Sequence, residues 1–155
     1  MASKMYDKGM RKLMGGAANA IDWVNDTSIK VMLLTTTTPY TLDQNHEFVS
    51  SVVASEAAGT GYTGGFGGAG RKSLGTRTIA DDLTNHRVNF GAANPSAWTG
   101  LSLTSGSIAY LVIFKELTSD ALSPLLCILD PADLVTNGGD VSLSLPSGLV
   151  FYIQN

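Results

Sequence analysis

The residues most able to do chemistry are few and scattered. Gly59-Thr60-Gly61-Tyr62-Thr63-Gly64 matches G-x-G-x-x-G. That pattern binds a dinucleotide only when it leaves a strand and opens a helix whose N-terminus receives the pyrophosphate. Here it follows a helical-looking segment and runs into more glycine. A phosphate loop needs Gly-Lys-Ser in direct succession, and Arg71 separates Gly70 from Lys72-Ser73. His46 and His86 lie in different segments without carboxylates or thiols at ligand spacing, so no metal site is expected. Asp81 and Asp82 are adjacent; in a strand they would face opposite ways, and a solvated turn is the simpler reading. No G-x-S-x-G elbow, H-E-x-x-H pair or Cys–His signature is present. The chain therefore reads as a non-enzyme without a cofactor.

Composition narrows the class. The 155 residues are 44% hydrophobic and only 15% charged, against roughly 25% in an average soluble domain. Mean hydropathy is +0.14. This describes one domain with a real core and a charge-poor surface. A formal charge of −3 gives no electrostatic basis for nucleic acid. Cys127 is the single cysteine, so no internal disulfide can form, and inside Leu125–Leu129 it reads as a small hydrophobe. No stretch reaches the ~18 apolar residues of a membrane span. The basic residues Lys4, Lys8, Arg11 and Lys12 precede no apolar core, so neither a signal peptide nor a membrane partner is expected.

The elements that would position any site follow from periodicity. Ser107–Leu117 contains the apolar, β-branched run Ala109–Phe114 and predicts a strand buried on both faces. Leu125–Leu129 returns beside it as a hairpin. Ser28–Leu34 predicts a second buried strand, and His46–Ala58 a short helix. Lys72–Ile79 and Thr84–Phe90 predict a hairpin joined by Ala80-Asp81-Asp82-Leu83. The segment 92–104 has room for one short strand. Asp140–Leu145 alternates as a half-buried strand after the Asn-Gly-Gly turn, and Leu149–Ile153 closes the fold. Trp23 and Trp98 read as core anchors. The fold class is mainly β: an antiparallel β-sandwich or barrel of about seven to eight strands, with one or two short helices. Residues 1–16 form an N-terminal arm or short helix, with Met5, Met10, Leu13 and Met14 on one face. Residues 17–155 form a single β-rich domain.

Gly59–Arg71 is the compositional outlier, with seven of the 17 glycines. It reads as a flexible loop. Aromatics in such a loop either fold back on the domain or bury in a partner. The candidate partner contacts are accordingly Met5, Tyr6 and Met10 in the arm and Tyr62, Phe66 and Arg71 in the loop.

The order of motifs resembles a family of small tailed-bacteriophage virion proteins. The residues that carry the likeness are Tyr6-Asp7-Lys8-Gly9, Ile29-Lys30-Val31, Gly59–Thr63, Asn85–Phe90, Trp98-Thr99, Ala109–Lys115, Ser123–Leu126, Asn137–Asp140 and Gly148-Leu149. The glycine stretch is an extension beyond the family's pattern. The resemblance implies a structural component of the virion, made in the host cytoplasm. It points first to a capsid decoration (cement) protein: a homo-oligomer, a trimer, clamping the major capsid protein on the head surface. The alternatives are a tail or head–tail connector component, or a receptor- or carbohydrate-binding module using Tyr62, Phe66 and Trp98. A hydrolase is the weakest reading.

Overall fold

The computed structural model describes residues 2–16, 18–145 and 148–154. The chain is mainly β, with antiparallel sheets arranged as a sandwich. Its strands are β1 (Ala2–Met5), β2 (Ile29–Thr35), β3 (Gly59–Thr60), β4 (Lys72–Ser73), β5 (Arg77–Asp82), β6 (Arg87–Ala92), β7 (Ser102–Leu103), β8 (Ile108–Lys115), β9 (Leu125–Asp130) and β10 (Leu149–Gln154). One helix, α1, spans Asp7–Leu13. The larger sheet has the order β1-β9-β8-β2-β4, the smaller β10-β6-β5, and β3 pairs with β7.

β8 and β9 form the expected hairpin at the centre of the larger sheet, with Leu111 opposite Leu129 and Ile113 opposite Cys127. Side chains alternate across a strand, so a continuous apolar run feeds two cores. On one face Val31, Leu33, Leu111, Ile113, Cys127 and Leu129 meet the smaller sheet. On the other, Met32, Leu34, Val112, Phe114, Leu125 and Ile128 are covered by Tyr6, Tyr40, Val49 and Val52. Burial raises the Cys127 thiol pKa well above its ordinary value, in keeping with a packing role.

Trp23 anchors the space between the sheets. Its ring meets Phe151 edge-on at 5.3 Å, and Phe151 stacks on Phe90 at 4.6 Å. Its indole N–H donates to the carbonyls of Thr78 and Gly91, so burial leaves no polar atom unpaired. Trp98 is buried too, and its N–H donates to Gly70 O at 2.6 Å.

Six sequence expectations are corrected. The arm is no free extension: β1 pairs with β9 from Ala2–Asp130 to Met5–Cys127. α1 packs on β9 so closely that a Cβ on Gly9 would lie 2.3 Å from Leu125 O. The helix also starts later than the methionine spacing suggested, because Met5 is still in the strand. The His46–Ala58 helix is instead two 3-10 turns, Val49–Ser51 and Val53–Ser55; the β-branched Val49, Val52 and Val53 disfavour continuous α-helix. The β5–β6 turn lies three residues further on, since Asp81 and Asp82 belong to β5 and the chain reverses through Leu83–His86. Asp140–Leu145 forms no ladder and makes only a bridge from Val141 to Trp98. The strand count also exceeds the sequence estimate, because β1, β3 and β4 are short segments without an apolar run of their own.

Candidate functional site

The glycine-rich stretch is the most elaborately held irregular segment among the described residues. Its two feet are Glu56, just before Gly59, and Arg71, just after Gly70. Arg71 Nε and Nη2 donate to the two Glu56 carboxylate oxygens at 2.9 and 2.7 Å. Its Nη1 and Nη2 also donate to Asp120, at 2.5 and 3.1 Å. The Arg71 side chain is fully buried and that of Glu56 almost so, with the guanidinium 5.4 Å from the Phe114 ring centre. Desolvation alone would lower the Arg71 pKa, but the hydrogen bonds and charges of Glu56 and Asp120 outweigh it and raise the pKa.

Glu56 has no acceptor capacity left for a ligand. Its oxygens also accept from Tyr62 Oη at 3.0 Å and Gly65 N at 2.9 Å, which with Arg71 fills the roughly four lone-pair sites of a carboxylate. Tyr62 Oη in turn accepts from Leu33 N at 3.1 Å, tying the loop to the central sheet. Burial, and then the negative charge of Glu56, push the Tyr62 pKa well up. The Tyr62 ring lies flat on the loop's return: a Cβ at Gly70 would sit 2.6 Å from it, so only glycine fits there. Gly70 N donates to Thr63 O at 2.9 Å and closes the base. The result is a pinned loop, not the flexible one expected. At its apex Phe66 remains 52% exposed.

The six expected contact residues therefore separate. Tyr6 is wholly buried and donates to Tyr40 Oη, which bonds His46 Nδ1 at 2.9 Å. Burial, reinforced by Tyr40, raises the Tyr6 pKa. Met5 and Met10 are half-buried on their own domain. Tyr62 and Arg71 are buried, and Phe66 alone projects into solvent. A sugar-stacking platform of Tyr62, Phe66 and Trp98 is excluded in this conformation, because Tyr62 and Trp98 are 2% and 1% exposed. Sequence reading missed Glu56 and Asp120, which lie 15 and 49 residues from Arg71. The available signal was a lone carboxylate in Val52-Val53-Ala54-Ser55-Glu56-Ala57-Ala58, facing a lone arginine across the loop.

Among the described residues no group of three or more His, Cys, Asp or Glu side chains could hold a metal ion. No family model, curated protein or solved structure matches the chain.

Proposed function

We propose that the chain is a structural protein of a tailed-phage virion, a decoration protein that clamps the major capsid protein on the head surface. The order of motifs supports this reading, and so does the loop geometry. The single observation that carries it is Phe66, an apolar side chain presented by a loop whose feet are locked by a buried ion triad. A loop ordered before binding loses little entropy on docking, and an aromatic anchor supplies contact area. No catalytic step is required, because the Glu56–Arg71–Asp120 cluster is consumed in holding the loop. Many copies, each making a modest contact, would hold the shell through avidity. The N-terminal segment is not part of the clamp, since β1 and α1 belong to the chain's own core.

The test is stoichiometry in purified particles. Copies in numbers comparable to the major capsid protein support decoration. The few copies of a tail ring would move the chain to the tail, and absence from particles would end the virion reading.

A further inference from the structure

The outer edge of the smaller sheet carries a second message. β5 is an edge strand, and Thr78, Ile79, Ala80 and Asp81 are all exposed. Such an edge offers unpaired main-chain groups to any strand that fits. Which groups face outward follows from the ladder. Ala93 N donates to Thr76 O, and hydrogen-bonded pairs alternate along an antiparallel ladder. Thr78, Ala80 and Asp82 therefore bond inward to β6, while Arg77, Ile79 and Asp81 direct their main-chain groups outward. No main-chain hydrogen bond from outside the hairpin reaches those three among the described residues.

We propose that β5 pairs with β5 of a second copy of this chain about a two-fold axis at Ile79, joining two three-stranded sheets into one of six. In antiparallel pairing, opposite residues share a face of the sheet, so only residues of equal parity can oppose. Any register centred on a residue satisfies this, and those that keep most of the strand paired are centred on Thr78, Ile79 or Ala80. The Ile79 register alone places all three outward residues against outward partners: Arg77 against the other copy's Asp81, twice, and Ile79 against itself. The other two set a charged residue against Ile79 and lose a pair of main-chain bonds. Charge complementarity selects the same register. Among the described residues Arg77 has no carboxylate within ion-pair distance and Asp81 forms no ion pair. The Arg77 guanidinium donates to the carbonyls of Trp23, Leu74, Gly75, Val24 and Asp26, so it is its uncompensated charge, not a free donor, that faces the other copy. Opposite charges facing across strands stabilise pairing, and like charges oppose it.

The flanking surface agrees. Arg77, Ile79 and Asp81 share a face with Val88, Phe90, Phe151 and Ile153. Beside it runs an apolar groove of about 510 Å³ bordered by Met14 and Ile79, which are 75% and 49% exposed. A two-fold axis at Ile79 brings the two grooves together and covers both side chains. The contact specified here is two-fold, in place of the trimer expected from the sequence resemblance, and it holds whether or not the chain serves a virion.

Sedimentation equilibrium from low micromolar to near-millimolar concentration tests the pairing. The expected result is a species of twice the 16.2 kDa of one chain. Ile79→Pro removes only an outward N–H, which an edge strand tolerates, and should give a monomer with an unchanged melting curve. Asp81→Arg faces Arg77 twice and should do the same, so a folding failure of the proline variant leaves the test intact. Oxidised Ile79→Cys should cross-link to a covalent dimer, because paired Cα atoms would lie about 5.5 Å apart. Ala80→Cys should not, since its copies would lie two positions apart, about 7–8 Å. A wild-type chain monomeric at every concentration overturns the proposal. So does a dimer that survives both Ile79→Pro and Asp81→Arg, or cross-linking at Ala80 as readily as at Ile79.

Discussion

The hairpins β8–β9 and β5–β6 are built from the same antiparallel ladder and have opposite roles. In β8 and β9 every residue from Leu111 to Phe114 and from Leu125 to Leu129 is buried, because both faces are apolar and each face has a layer to pack against. In β5 the sequence Arg-Thr-Ile-Ala-Asp-Asp leaves four of six residues exposed. The difference lies in side chains rather than backbone. A strand apolar at every position is drawn to the centre, whereas one that mixes charge with a single isoleucine stays at the rim with its edge open. The first hairpin supplies rigidity and the second supplies surface. The glycine loop stands between them: it is irregular like the rim, yet anchored like the centre.

The largest loss of stability is expected at the first strand. Deleting residues 1–16 removes β1 and Tyr6, exposes the edge of β9 and opens the core that Tyr6 covers. The truncated chain should show no cooperative unfolding transition in urea; a two-state transition near the wild-type midpoint would return the segment to the role of an appendage. Next in size are changes at the centre and the anchor. Phe114→Ala should cost about 3–5 kcal/mol by leaving a cavity. Arg71→Ala should cost a similar ~3–5 kcal/mol, because it strands the buried Glu56 carboxylate without its partner. Urea denaturation of both variants checks this, and an Arg71→Ala loss near zero would mean that the loop is held by something else.

The rim should respond weakly and mainly to pH. Asp82 has its pKa lowered to about 2 by hydrogen bonds from Asn85 and Arg87. A carboxylate whose folded pKa lies below its unfolded value contributes stability above the unfolded pKa and loses it as pH falls through the folded one. Its unfolded value is close to 3.8, so the contribution fades between about pH 4 and pH 2. Asp82→Asn should melt slightly below wild type at neutral pH, and the two curves should converge near pH 2. A gap that persists unchanged at low pH would contradict this assignment.

How far the sequence could be read follows the same division. The central hairpin was legible because its apolar runs can only be buried on both faces. The β5–β6 turn was misplaced because an aspartate pair looks like a solvated turn. In the structure Asp82 ends the strand and accepts hydrogen bonds from Asn85 N and Arg87 Nε, so its polarity is satisfied by the turn it precedes. Alternation in Asp140–Leu145 correctly signalled burial of Leu143 and Leu145, but not pairing, since an extended chain packs one face inward with or without a ladder. The loop's glycine content was plain, whereas its rigidity depends on Asp120, 49 residues from Arg71, a separation at which no local pattern speaks.

On the proposed function, the locked loop offers Phe66 to a capsid surface. The most direct test is the binding of purified Phe66→Ala to phage heads lacking the chain, beside wild type. Phe66 is exposed, so the variant should keep its stability to within about 0.5 kcal/mol. Loss of a central aromatic anchor should weaken binding by about 2 kcal/mol or more, roughly thirtyfold. A stable Phe66→Ala that binds heads as tightly as wild type would contradict the account.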